Sequence, residues 1–483
     1  MSFRLQYKVS LFTLILLACC MSTLSAQTTT TLWHNKERTL HYKPEGNDFV
    51  LHSGTKKFNR ALYGTNTGFR VEAGDLPEFA MYMPGMGGNC KIGFLINGKS
   101  KWITEAAHIK TIYRPGSMIY EIRDPILNNG SFTITVLALA DADGMIVQSK
   151  SANTPAGLSL VIAYGGATGK KFSRDGDIGA DPESSFYLQP AYCKDNQYQL
   201  QKNSFRLYYG FTKPLSEEER YEIQYGKKQF DTAAKDKPKL ISGLFPEQAV
   251  LRIADANRQD DPIILTSSDA RSKTPLITAS VKITSNNIYY WVIERQGKKR
   301  NYNETPILFT RAEAARKKIA ERVKLHTPDD YINPLGNALA IAADAIWEEP
   351  SYMHGAIAWR MRLPAWRGAN AADALGWHDR ARMHFDSYLK SQVTQIAPGP
   401  VTPDTALHFA RQLEKMGTAM FSNGYICRNP NGDIRPHHYD MNLVFMDQLL
   451  THLQYTGDLI YVKKIWPALK LHLQWEKRNY DAD

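Results

Sequence analysis

Residues 310–347, TRAEAARKKIAERVKLHTPDDYINPLGNALAIAADAIW, divide the chain into two kinds of pattern. Ala312, Ala315, Ile319 and Val323 recur at helical spacing with Lys and Arg between them. The segment HTPDD then stops that helix and supplies cap residues for the next one. Leu335, Leu339 and Ala342 form a second apolar stripe that runs to Trp347. These spacings predict a linker helix over 309–330, with a different architecture on either side of it.

Before the linker, over 27–308, short β-type runs alternate with Gly, Asn and Asp punctuation. Examples are FTITVLALA (132–140), LSLVIAYGG (158–166), FRLYYGF (205–211) and SVKITSN running into NIYYWVIE (280–294). Such a series predicts a large antiparallel β-sandwich. After the linker, over 331–483, the pattern is helical hairpins. Leu443, Met446, Leu450 and Leu453 are expected to line one helix face, and Val462, Ile465, Leu469 and Leu473 the next. Gly457 and Asp458 read as a helix stop followed by an N-cap, which makes those two helices antiparallel neighbours. Pro467 is expected to kink or restart the second of them.

The 483 residues suit two or three domains. An aromatic content of 11% excludes global disorder. The net charge of +11 is spread among Asp and Glu, with short solvated clusters such as 226–228 and 297–300. It implies a mild attraction to acidic polymers. Without a basic stripe on a reading helix or sheet, it does not point to nucleic acid.

At the N-terminus, Arg4 and Lys8 precede the apolar run VSLFTLILLACCM, and STLSAQ follows it. This order predicts a secretory signal over 1–26, cleaved after Ala26, and a periplasmic or cell-surface location. The alternative is a lipoprotein anchored at Cys19, although Leu17 is atypical for a lipobox. The apolar run is shorter than the roughly 20 residues of a membrane span. Cys90, Cys193 and Cys427 remain after cleavage, without the spacing of a disulfide framework or a zinc site, and are expected to be buried thiols.

The segments TPDDYINPLGNALAIAADAIW, SYMHGAIAWR and WRGANAADALGWHDRA resemble the linker and first hairpins of the six-hairpin glycosidase superfamily, the (α/α)6 toroids of secreted Bacteroidetes polysaccharide-degrading proteins. The preceding region looks like the poorly characterised β domain found in front of such toroids. The resemblance implies a β-sandwich, a linker helix and a partial toroid. It also implies a chain cut short, because 331–483 holds too few helices for six hairpins. The implied activity is glycoside hydrolysis of a polysaccharide or oligosaccharide, without a cofactor. That chemistry needs two carboxyl groups flanking the scissile bond, one of them an acid with a raised pKa.

Within WRGANAADALGWHDRARMHF (366–385), Asp373 lies four residues before Trp377. In α-rhamnosidase-like members an acidic residue in a similar acid-x-Leu-Gly-Trp step is the general acid, so the resemblance assigns that role to Asp373. The match is partial, since HDRA follows here where a Gly-Asp pair is usual. A helix cap is the plainer reading of Asp373, and Asp379 could match the second Asp or serve the helix dipole. Trp366 and Trp377 are either sugar platforms or core residues. Arg367, His378 and Arg380 could bind hydroxyls or a carboxylate. His354 is either at the mouth or a structural histidine, and Glu348 and Glu349 rival Asp373. In RPHHYDMN (435–442), His437, His438, Asp440 and Asn442 could reach the pocket, with Asp440 as an N-cap in the plainer reading. The His and Asp spacing there is not that of a zinc helix, so no metal is expected. Two further classes remain open: a polysaccharide lyase using His or Tyr as base against a uronate, and a non-catalytic glycan-binding protein.

Overall fold

The structure, a computed structural model, describes residues 41–172, 182–210, 238–268, 272–295, 299–357, 359–365, 368–395, 423–430 and 440–480. The signal segment lies outside them, as do Trp366, Arg367, His437 and His438.

Two large antiparallel sheets occupy the N-terminal part. The ten-stranded sheet runs, in spatial order, Lys43–Glu45, Asp48–His52, His108–Arg114, Ser117–Arg123, Ser131–Ala138, Gly144–Ala152, Ile288–Arg295, Lys239–Leu244, Ser204–Tyr209 and Gln197–Leu200. The eight-stranded sheet runs Val250–Asp255, Pro275–Lys282, Ser159–Ala167, Met86–Ile96, Phe79–Tyr82, Arg70–Ala73 and Arg60–Leu62, with Lys99–Trp102 also paired to Met86–Ile96. The period-2 geometry of a strand sends alternate residues to one face. Accordingly Phe132, Ile134 and Val136 of one sheet share a core with Cys90, Ile92 and Phe94 of the other. Phe94 meets Phe132 edge-on at 5.2 Å, and Phe79 lies 5.9 Å from Tyr120.

Both outer faces are also partly covered, which explains why several strands read as continuous apolar runs rather than as alternation. Trp102, Ala163 and Leu276 lie with Cys193 and Leu265, which come from the short helices Pro190–Cys193 and Pro262–Thr266. On the ten-stranded sheet, Leu137, Ile146 and Val292 meet Leu308 and Ala312 of helix α1, Thr305–Ala320. The expected linker helix over 309–330 is thus corrected at both ends. It starts at Thr305, after an Asn301–Glu304 capping box, and is used to cover a sheet. It stops at Ala320, so Val323 lies beyond it.

The C-terminal part is helical. It contains α2 (Ile332–Ala345), α3 (Gly368–Ala374), α4 (His378–Leu389), α5 (Asp440–Thr456) and α6 (Leu459–Tyr480). The turn between α5 and α6 is as expected: Gly457 N donates to Leu453 O at 2.8 Å, and Asp458 Oδ1 accepts from Tyr461 N at 2.9 Å. The expected burial stripes are shifted. In α2 the buried face carries Gly336, Ala340, Ile341 and Ala345, while Leu335 and Leu339 are exposed. In α5 it carries Phe445, Leu449 and His452 together with Met446, while Leu443 and Leu450 are exposed. Leu473 is exposed in α6, and Ile465 and Leu469 are buried. Helix α6 continues through Pro467, whose exposed position leaves the freed carbonyl to water. Cys90, Cys193 and Cys427 are buried, and among the described residues they form no disulfide. Among the described residues no helix is long and apolar enough to cross a membrane.

Two measurements test this packing. Phe94→Ala removes a fully buried ring between the sheets and should lower the free energy of unfolding by about 3–5 kcal/mol in a denaturant titration. A loss below about 1 kcal/mol would mean that the two sheets do not share this core. His384 is the second probe. It is buried in α4, accepts from Tyr352 N at 3.1 Å and bonds Pro364 O at 3.3 Å, and burial lowers its pKa to about 4. The unfolded chain then takes up a proton near pH 6.5 that the folded chain refuses until about pH 4. Stability present above pH 6.5 is therefore lost as the pH falls across that window. Over the window, the slope for the wild type should exceed that for His384→Gln by up to about 1.4 kcal/mol per pH unit. Equal slopes would show that His384 is not held neutral.

Candidate functional site

The site is built by a turn. Helix α3 ends at Ala374, and Gly376 takes a left-handed φ of 70°. Gly376 N donates to Asp373 O at 3.0 Å, and Trp377 N to Ala372 O at 2.8 Å. This is the bonding of a glycine-terminated helix end, and it explains the Leu-Gly step in the sequence. The reversal starts α4 at once and brings its first residue, His378, back over Asp373. At the other end of α3, a Cβ on Gly368 would lie 2.3 Å from Tyr352 Cβ, so only glycine permits that approach.

His378 Nδ1 lies 2.7 Å from Asp373 Oδ1. From α5, His452 Nδ1 reaches the same carboxylate, at 2.9 Å from Oδ1 and 3.0 Å from Oδ2. The Asp373 side chain is 4% exposed and that of His378 45%, whereas His452 is fully buried. Burial alone would push the Asp373 carboxyl upward. The hydrogen bonds from His452 and His378, with the attraction to both rings, outweigh it and hold the carboxyl below its ordinary value. An ionised carboxylate only accepts, so both Nδ1 atoms donate. His378 is left with Nε2 turned away from Asp373, on the exposed side of the cluster.

The expected cap role for Asp373 is replaced, because its carboxylate binds side chains across helices and does not bind the N–H groups of α4. The acid role taken from the resemblance requires a carboxyl that keeps its proton, and this arrangement favours the ionised form. His452 went unnoticed in the sequence. Its only signal there is a place in the run Phe445, Leu449, His452, where a polar side chain follows the spacing of a buried stripe.

The other candidates scatter. Trp377 packs in the helical core with the Arg380 guanidinium 4.7 Å and that of Arg322 5.3 Å from its ring centre, so it is a core residue and not an open platform. Arg380 also binds Asp344 Oδ1 at 2.7 Å. His354 is buried beneath Trp359, with ring centres 4.9 Å apart and planes at 27°. Asp440 is the exposed first residue of α5. Asn442 is buried and binds Ile426 N at 2.6 Å. Glu348 is paired with Arg360 at 2.9 Å and Arg362 at 3.7 Å. Asp379 stands in the first turn of α4, where the helix dipole favours it.

Asp373, His378 and His452 are also the group, among the described residues, whose donor atoms lie close enough to hold a metal ion, within 4.8 Å of one another. Imidazole and carboxylate together suit zinc or iron. The carboxylate contacts of 2.7–3.0 Å are direct hydrogen bonds, however. Donors each about 2.0–2.2 Å from a shared ion stand farther apart. As arranged, the three groups form a proton-holding chain.

Residues 83–313 match the family described as Domain of unknown function (DUF4450), which covers most of the two sheets and ends within α1. No curated protein matches. Among solved structures, the chain is similar to a bacterial glucoamylase complexed with acarbose, with a TM-score of 0.35 and 10% identity over 70% of this chain and 51% of that one. It is also similar to a family GH92 inverting mannosidase from Bacteroides thetaiotaomicron, with a TM-score of 0.32 and 9% identity over 64% of this chain and 36% of that one. The chain therefore spans about half or less of the length of these enzymes.

Proposed function

We propose that this chain belongs to an exported glycoside hydrolase that acts on a complex polysaccharide or oligosaccharide. In this reading the two sheets form the sandwich that precedes a six-hairpin toroid, and the helices after residue 331 begin that toroid. The order of charge, apolar run and small residues over 4–26 supports export, with Ala26 as the cleavage position. The observation that carries the reading is a buried carboxylate held by two imidazoles, one of which reaches the surface.

Glycoside cleavage moves a proton to the leaving oxygen and stabilises positive charge on the sugar. Asp373, kept ionised, suits the charged partner of that pair better than the acid. It fixes the His378 ring with Nε2 outward, where that nitrogen can exchange a proton with substrate or water. The complementary carboxyl group of a hydrolase would then come from residues outside this cluster. The same His378–Asp373 contact also favours a second reading. A histidine oriented by a carboxylate is a suitable general base for a lyase, removing the proton beside a uronate carboxylate.

The full chain should be incubated with soluble starch, α-mannan, xylan and polygalacturonate. Release of reducing ends without an unsaturated product is the expected result, and an unsaturated uronate product would establish the lyase reading. His378→Gln and Asp373→Asn should each lower the rate by about 10²–10⁴-fold. Normal turnover in both variants would remove this cluster from the chemistry. Binding of a glycan without any cleavage would leave a glycan-binding protein in place of the enzyme.

A further inference from the structure

Trp359 has a backbone φ of 55°, in the left-handed region. Glycine and asparagine occupy that region readily, and a bulky side chain there is an outlier that the surroundings must enforce. The surroundings do so. Met353 and Arg362 pair across the base of the loop, His354 N donates to Met361 O at 2.8 Å, and Met361 N donates to Trp359 O at 2.8 Å. The next side chain, Arg360, bonds Ala345 O at 2.9 Å, Thr67 O at 2.7 Å and Glu348 Oε2 at 2.9 Å. This anchors the loop both to α2 and to the turn before the strand Arg70–Ala73.

The indole itself is half-buried, and one of its faces lies on the buried imidazole of His354 at 4.9 Å and 27°. A ring backed on one side, held rigidly and still partly open to water is more than packing requires. Backbone strain that is kept where glycine would relieve it points to a binding role. We propose that Trp359 is a saccharide platform, on which the C–H face of a pyranose ring stacks. Glu348, about a third exposed and joined to the same loop through Arg360, supplies acceptor oxygens for its hydroxyls. The guanidinium donors of Arg360 and Arg362 are already engaged by Glu348, Ala345 O, Thr67 O, Ser351 Oγ and Glu349 O. This leaves them poorly placed to grip a uronate carboxylate, so the platform suits a neutral sugar better. The inference rests on the glycan-directed function proposed above.

The test compares Trp359→Gly and Trp359→Tyr with the wild type in the full chain, by calorimetric titration with soluble starch, α-mannan, xylan and polygalacturonate. Gly accepts the backbone angle and removes the ring, whereas Tyr keeps an aromatic face. Trp359→Gly should weaken binding of a neutral polysaccharide about tenfold or more, with Trp359→Tyr within about threefold of wild type. Equal affinity of the wild type and Trp359→Gly would overturn the platform while leaving the glycan function standing. Binding of polygalacturonate alone would overturn the preference for a neutral sugar. Failure of the wild type to bind any of the four would overturn the glycan function and the platform together. Thermal unfolding of each variant identifies a loss caused by misfolding, and in that case Trp359→Asn, which also accepts the backbone angle and lacks the ring, takes the place of the Gly variant.

Discussion

A carboxylate removed from water must be met by donors, and Asp373 has few to choose from. Its own helix ends one residue later, and the amide groups of α4 point elsewhere. His378 comes from the start of α4 and His452 from the middle of α5, so one ionised group joins three helices. Leaving that charge unmatched would cost several kcal/mol, which ranks the contact above any surface ion pair in this part of the molecule. The Gly376 turn follows from this constraint, since without a tight reversal His378 could not return to Asp373.

The sheets and the helices are joined by similar polar contacts. Arg114 and Arg316 both bind Glu313, and Arg316 also bonds Pro115 O, so α1 is fastened to the ten-stranded sheet by charge as well as by Leu308 and Ala312. Arg360 carries the connection onward to Thr67. The helix that divides the sequence patterns thus belongs physically to the β part, and the helical part begins with α2.

Much of this was legible in the sequence, for reasons particular to each element. FTITVLALA and LSLVIAYGG became the strands Ser131–Ala138 and Ser159–Ala167 because local β propensity and burial on both faces agree there. The Gly457–Asp458 stop was legible because capping is a local interaction. Which stripe of a helix is buried was not: Leu339 and Ala340 differ by one position, and only the neighbouring chain decides between them. A small residue won at Gly336 of α2 because Val323 and Leu325, in the segment after α1, lie where a Cβ would come within 3.0 Å of them. The partnership of Asp373 and His452 spans 79 residues and leaves no trace in spacing, so a site that looked like one residue and a helix cap became a three-residue chain.

The central claim is that Asp373 is ionised and accepts from both Nδ1 atoms. Nitrogen-15 spectra of the histidine side chains in the full chain at neutral pH test it directly. His378 and His452 should both carry their proton on Nδ1, and Asp373→Ala should shift both signals together. If either ring instead holds its proton on Nε2, leaving Nδ1 bare toward Asp373, the carboxyl must itself be the donor. The assignment of Asp373 as the charged partner would then be wrong.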